Sequence, residues 1–135
     1  MASIMLSIFT SSGILGAVLA PAVLTAADAA CLQANMDGQI VEGRLTVQNA
    51  KDANGRTERP FILDVSSSTC MQGRDADDNV KSTRKIHIAP QDERLQPAFR
   101  RLVGKTVVVS GNPFAAHTAH HHAPIVMLVT EIRPH

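Results

Sequence analysis

From Val41 to Gln48 the chain alternates strictly: Val41, Gly43, Leu45 and Val47 on one side, Glu42, Arg44, Thr46 and Gln48 on the other. A period of two puts each set on one face of a strand, so this is the first predicted strand. The polar stretch Lys51 to Arg56 carries Asn54-Gly55, a pair that accepts positive φ, and predicts a hairpin reversal. A second strand follows, with Phe61, Leu63 and Val65 facing one way and Ile62, Asp64 and Ser66 the other. Ser66 to Ser82 is polar and acidic, which predicts a loop holding Cys70. Arg84 to Ala89 reads as a third strand, with Ile86 and Ile88 inward and Lys85 and His87 outward, stopped by Pro90.

The period then lengthens. Between Gln91 and Gly104, Leu95, Phe99, Leu102 and Val103 recur at helical spacing, Pro97 suits the first turn, and Gly104 can close the helix in a left-handed conformation. Lys105 to Gly111 is a fourth strand, with Val107 and Val109 on one face and Val108 on the other, and Ile125 to Ile132 is a fifth. Three strands, a short helix and two strands is the element order of the OB fold, so the expected class is all-β, a five-stranded barrel with one short helix. An SH3-like barrel and an open meander capped by the helix share much of that order.

The first residues carry a different signal. Met1 to Ala27 contains no charged side chain, the apolar run ends at Pro21, and Ala27-Asp28-Ala29 has the small-x-small pattern of a cleavage site. This predicts a signal peptide over residues 1–29 and a single domain over 30–135, periplasmic or secreted, monomeric, with no membrane span after cleavage. An uncleaved anchor is the alternative for an apolar run of this length. Acylation of Cys31 fits less well, since Asp28 stands where lipoprotein signals carry an aliphatic residue. In an oxidising compartment Cys31 and Cys70, the chain's 2 cysteines, should pair. Closing that loop stabilises a fold by about 4 kcal/mol on the chain-entropy estimate.

Charge excludes more than it suggests. Asp28 is the only charged residue among the first 29, so their removal leaves 13 basic side chains and one fewer than the chain's 12 acidic ones. Such a surface has no strong pull toward nucleic acid or anionic lipid, and an OB barrel that binds single strands needs stacking aromatics. Here there is no Trp or Tyr, and Phe61 and Phe99 already fit core positions, leaving Phe114.

The candidate chemistry lies between the last two strands, where His117, His120, His121 and His122 crowd into six residues. In extended backbone His120 and His122 point to one side, about 6.5–7 Å apart, and could share a metal with His117 folding back. Zn or Cu would suit three imidazoles and a water. His121 would face the other way. The whole segment Asn112 to Pro124, with Phe114, Thr118 and His121, forms the candidate binding loop. A purely structural reading stands beside this: ring-to-backbone hydrogen bonds, with Thr118 capping a turn, can hold such a loop with no ligand. No zinc signature matches, and no carboxylate lies nearer in sequence than Glu131. Glu58 and Asp64 read as charged hairpin surface, and Arg100 and Arg101 as a solvated helix face. Asp75, Asp77 and Asn79 occupy the first ligand positions of a calcium loop, but Val80 and Ile86 stand where its glycine and its glutamate belong. Ser66, Ser67 and Ser68 lack the context of a nucleophile.

Cys31, Gly43 with Leu45, Cys70 before an Asp-rich loop, Val103-Gly104-Lys105 and the run Phe114 to Ile125 together resemble a small exported bacterial family, domain-of-unknown-function family four-four-three-one. This chain has Ala119 where the family pattern has Gly and Ala123 where it has Thr, and every histidine is in place. The resemblance implies no assigned activity. The residues therefore point first to a non-enzymatic exported module that presents its histidine loop to a partner protein or a cell-envelope ligand. A small metalloenzyme with His87 or Glu131 as acid or base is the alternative, and an inhibitor or immunity-type protein is a third class.

Overall fold

The protein is described by a computed structural model covering Gly13, residues 16–22 and residues 30–135. The predicted cleavage site and most of the predicted signal peptide lie outside the described residues. A short β1 (Leu32–Gln33) precedes β2 (Gln39–Val47), a two-residue pair β3 (Ala50–Lys51) and β4 (Thr57–Glu58), and then β5 (Phe61–Gln72) and β6 (Val80–Pro90). A 3-10 turn over Glu93–Leu95 runs into α1 (Gln96–Leu102), followed by β7 (Thr106–Ala115) and β8 (Ile125–Pro134).

β2 pairs antiparallel with both β5 and β7, β5 with β6, and β7 with β8, while β6 and β8 run parallel. These five pairings close a ring, and the parallel seam between β6 and β8 gives it the connectivity of the OB fold rather than that of a meander. The faces predicted to carry Leu45, Leu63, Ile86, Ile88, Val107 and Val109 turn inward, Val47 and Phe61 are only half-buried, and β8 adds a face the sequence reading had not assigned. Leu45, Leu63, Ile86, Ile88, Val107, Val109, Ile125, Met127 and Val129 are all fully buried. Phe99 and Leu102 of α1 join that core, and Phe61 meets Phe99 edge-on at 5.1 Å. Gly43 breaks the large-residue pattern for a reason: a Cβ there would stand 2.6 Å from the Asp64 carbonyl oxygen, inside the β2–β5 approach.

Several boundaries differ from the sequence reading. Ser66 to Ser82 is not one loop. β5 continues to Gln72 and β6 begins at Val80, leaving Gly73 to Asn79 as the connection. Polar composition lost to tertiary partners there: Met71 is buried and pairs with Val80 and with Leu32, and Cys70, a strand residue, is bonded to Cys31. Register shifts between Asp64 and Met71 bend the strand out of the barrel's regular ladder. β7 likewise runs to Ala115, so Asn112 to Ala115 belong to a strand and not to the loop. The helix is shorter than Gln91 to Gly104, because the Asp92 side chain accepts the Arg94 N–H and opens it with a 3-10 turn. Pro97 lies in its first turn and Gly104 has φ of 84°, as expected.

The Lys51–Arg56 reversal forms, with Gly55 at φ of 77° and the Asp52 carboxylate accepting from the Asn54 and Arg56 N–H groups. It closes the β3–β4 pair into an arm inserted between β2 and β5, outside the barrel sheet. The disulfide is consistent with an oxidising compartment. Among the described residues no helix is long and apolar enough to cross a membrane.

Candidate functional site

Residues directly opposite on neighbouring strands share a face, and the outward face of the barrel carries one such row: Ile62 on β5 opposite His87 on β6, His87 opposite Val126 on β8, Val126 opposite Phe114 on β7. An outer row should be wet. Instead Ile62, Val126 and the loop residue Ala123 are buried, although none belongs to the barrel core. The β7–β8 connection, residues 116–124, folds onto this wall. Its base is closed by the Ala116 N–H donating to the Pro124 carbonyl at 3.0 Å, and His122 donates its backbone N–H to His87 Nδ1 at 3.2 Å.

Within the loop the histidines divide by what their rings do. His121 Nδ1 accepts from the backbone N–H groups of His117 (3.0 Å) and Thr118 (3.3 Å), so that ring acts as a cap for a tight turn. The turn is completed by the His121 N–H on the Thr118 carbonyl and the His120 N–H on the Thr118 hydroxyl. His117 lies edge-on to His121 at 4.7 Å and near Phe114, its Nδ1–H donating to the Ala115 carbonyl. A ring nitrogen that accepts from an amide carries no proton. Burial pushes His87 down to about 4, helped by the neighbouring His122 and His121 rings. Burial, then the His117 ring, lowers His121 in the same direction. Both rings are neutral at physiological pH.

His120 and His122 turn the other way, toward the arm. Glu58 on β4 accepts from His120 Nδ1 through one carboxylate oxygen and from His122 Nε2, at 2.6 Å, through the other. The two imidazoles, His122 foremost, hold the Glu58 carboxyl below the usual carboxylate range. Asp52 stands beside this group, also lowered, first by the Arg56 backbone N–H. Asp52, Glu58 and His120 each bring one ligand atom within 4.8 Å of the others. A tetrahedral Zn centre with bonds of about 2.0–2.1 Å sets its ligand atoms about 3.4 Å apart, so side-chain adjustments of about 1 Å would let these three groups hold one ion, with a fourth position left over. A cation entering there would displace the proton shared by His120 and Glu58.

The predicted triad is thus only partly assembled. His120 and His122 converge on one carboxylate, whereas His117 is taken up by Ala115 and His121. His121, expected to face away, caps the turn. Thr118 does cap, as expected, and Phe114 supports the loop from its strand. Glu131 lies on β8 opposite Ser110, apart from these rings. Sequence reasoning read Glu58 as hairpin surface because its two imidazole partners stand more than sixty residues away in the chain, and passed over Asp52 because its own bonds, to Asn54 and Arg56, are those of an ordinary turn. The one legible hint was His87, an outward imidazole on a strand. In the acidic connection, Asn79 Oδ1 accepts the Gly73 N–H at 3.1 Å and Asp78 accepts from Asn35 at 3.4 Å, so those oxygens close the loop.

Residues 85–133 match the family model of a domain of unknown function, DUF4431. The match takes in most of β6, the helix, β7, the histidine loop and nearly all of β8, and leaves out the arm with Asp52 and Glu58. No curated protein matches the chain.

Proposed function

Because the matched family has no assigned activity, we propose from the geometry that this is an exported, non-enzymatic binding module. It takes up a divalent cation of the Zn or Cu class between arm and loop, and presents that face to a partner protein or a cell-envelope ligand. One observation carries this reading: Glu58 accepts from two imidazoles 62 and 64 residues away, with Asp52 in reach. Mixed imidazole and carboxylate donors suit Zn and Cu, and OB barrels bind with the two connections used here, those after their first and fourth strands. The rings of His87, His117 and His121 each spend a nitrogen on the backbone, so they serve the loop's shape. A metalloenzyme is the second reading, favoured by His120, whose side chain is 64% exposed and would leave a coordination position open to water.

The test is metal analysis of the purified untagged protein, followed by Zn titration. We expect near-stoichiometric metal, affinity reduced by about 10–100-fold in Glu58→Gln and His120→Ala, and little change in His117→Ala. A protein that takes up no Zn or Cu, or one that loses it through His117→Ala and keeps it in Glu58→Gln, overturns the proposal.

A further inference from the structure

A second feature shares no residue with the group of Asp52, Glu58, His120 and His122. A depression of about 400 Å³ is lined by Val47 at the end of β2, Arg59 and Phe61 beside the arm, and Arg100 and Val103 of the helix end. Its floor is apolar and open: Val103 is 39% exposed, and Val47 and Phe61 are half-buried. Its rim is cationic. Arg56, Lys85 and Arg94 each have a carboxylate partner, on Asp52, Asp64 and Asp92. Among the described residues neither Arg59 nor Arg100 has one, and neither guanidinium donates a hydrogen bond to the protein; Arg44, Arg74, Arg101 and Arg133 are likewise unpaired, and what distinguishes Arg59 and Arg100 is that both line the same apolar depression. The helix dipole accounts for a cation at the end of α1. It does not account for Arg59, which reaches the same depression from a different segment.

We infer that this depression is a binding site for a small anionic amphiphile, with one carboxylate or phosphate head between Arg59 and Arg100 and a short apolar body over Val47, Phe61 and Val103. A guanidinium fork matches either head in bidentate fashion, and the volume falls in the range of small-ligand pockets. The apolar floor selects against inorganic anions, which would leave it wet. Two unpaired guanidinium groups select against neutral lipids. The site is separate from the metal face and does not depend on it.

The experiment is methyl and arginine side-chain NMR on the protein in EDTA, titrated with decanoate, decyl phosphate, decanol and acetate below micelle-forming concentrations. Working in EDTA keeps the result independent of any metal. Expected are saturable shifts at Val47, Val103, Arg59 and Arg100 with either amphiphile, the tighter of the two identifying the head. Decanol and acetate should bind about tenfold or more weakly. An Arg59→Gln, Arg100→Gln double variant should weaken decanoate by about tenfold, Arg133→Gln should not, and Val103→Ser should weaken decanoate while leaving acetate unchanged. Absence of saturable shifts, shifts confined to another surface, or equal affinity in the double variant would overturn the inference.

Discussion

Leu63 and Ile62 are neighbours on β5 that face opposite ways, and both are fully buried. Leu63 is covered by the side chains of other strands and of the helix, which the alternating pattern supplies everywhere around the ring. Ile62 sits in the outer row beside His87, the residue onto which the histidine loop folds. The inner face needs only apolar side chains at the right period. The outer face needs an added piece of chain, whose backbone must find hydrogen-bond partners at the surface, and the imidazoles of His121 and His87 supply them. Burial on the wrong side of a barrel therefore marks the place where polar chemistry gathers.

The comparison is sharpest in a pair of truncations. Leu63→Ala should cost about 2–5 kcal/mol of global stability. Ile62→Ala should fall at the low end of that range, and it should also speed hydrogen exchange of the His117, Thr118 and His122 amides, which Leu63→Ala leaves tied to global unfolding. Denaturant titration with amide exchange reads both, and identical exchange patterns in the two variants would break the distinction.

A smaller effect comes from pH. The His87 ring titrates near 4 in the fold against an ordinary 6.5, so unfolding takes up close to one proton between those values. Its contribution is complete above pH 6.5 and is lost as pH falls toward 4. After allowance for the ring's partial exposure that loss is about 1–2 kcal/mol. Glu58, lowered from 4.5, adds a loss in the same direction at lower pH, as protons reach its folded-state range. Urea midpoints between pH 7 and 4.5 should fall for the native protein and stay flatter for His87→Leu. Equal slopes would place the sensitivity elsewhere. The smallest effect is Thr118→Ala, which removes the hydroxyl that accepts the His120 N–H and should cost about 0.5–1 kcal/mol, with faster exchange confined to the loop.

The barrel was legible because its strands alternate and its inward residues obey that period from Val41 to Val129. The extension of β5 to Gln72 was not, since Ser66, Ser67, Ser68 and Thr69 have the composition of a loop, and a disulfide and the pairing with β1 hold them in a strand. The histidine loop was visible as a cluster, and Thr118 as its cap. The division of labour within it was hidden. Alternation in extended backbone places His120 and His122 on one side, but the segment is a turn closed on Thr118, and nothing local says that Glu58, on an arm before β5, lies in their path. Contacts between connections of a barrel are set by how the ring closes, and that information is distributed over the whole chain.

That closure rests on β8. It pairs with β6 on one side and with β7 on the other. Without it, two strands expose unpaired amides and carbonyls together, each a template for another molecule's strand. Damage to these ten residues therefore does more than weaken a fold. It opens two sticky edges at once, and self-association would precede any loss of the remaining secondary structure.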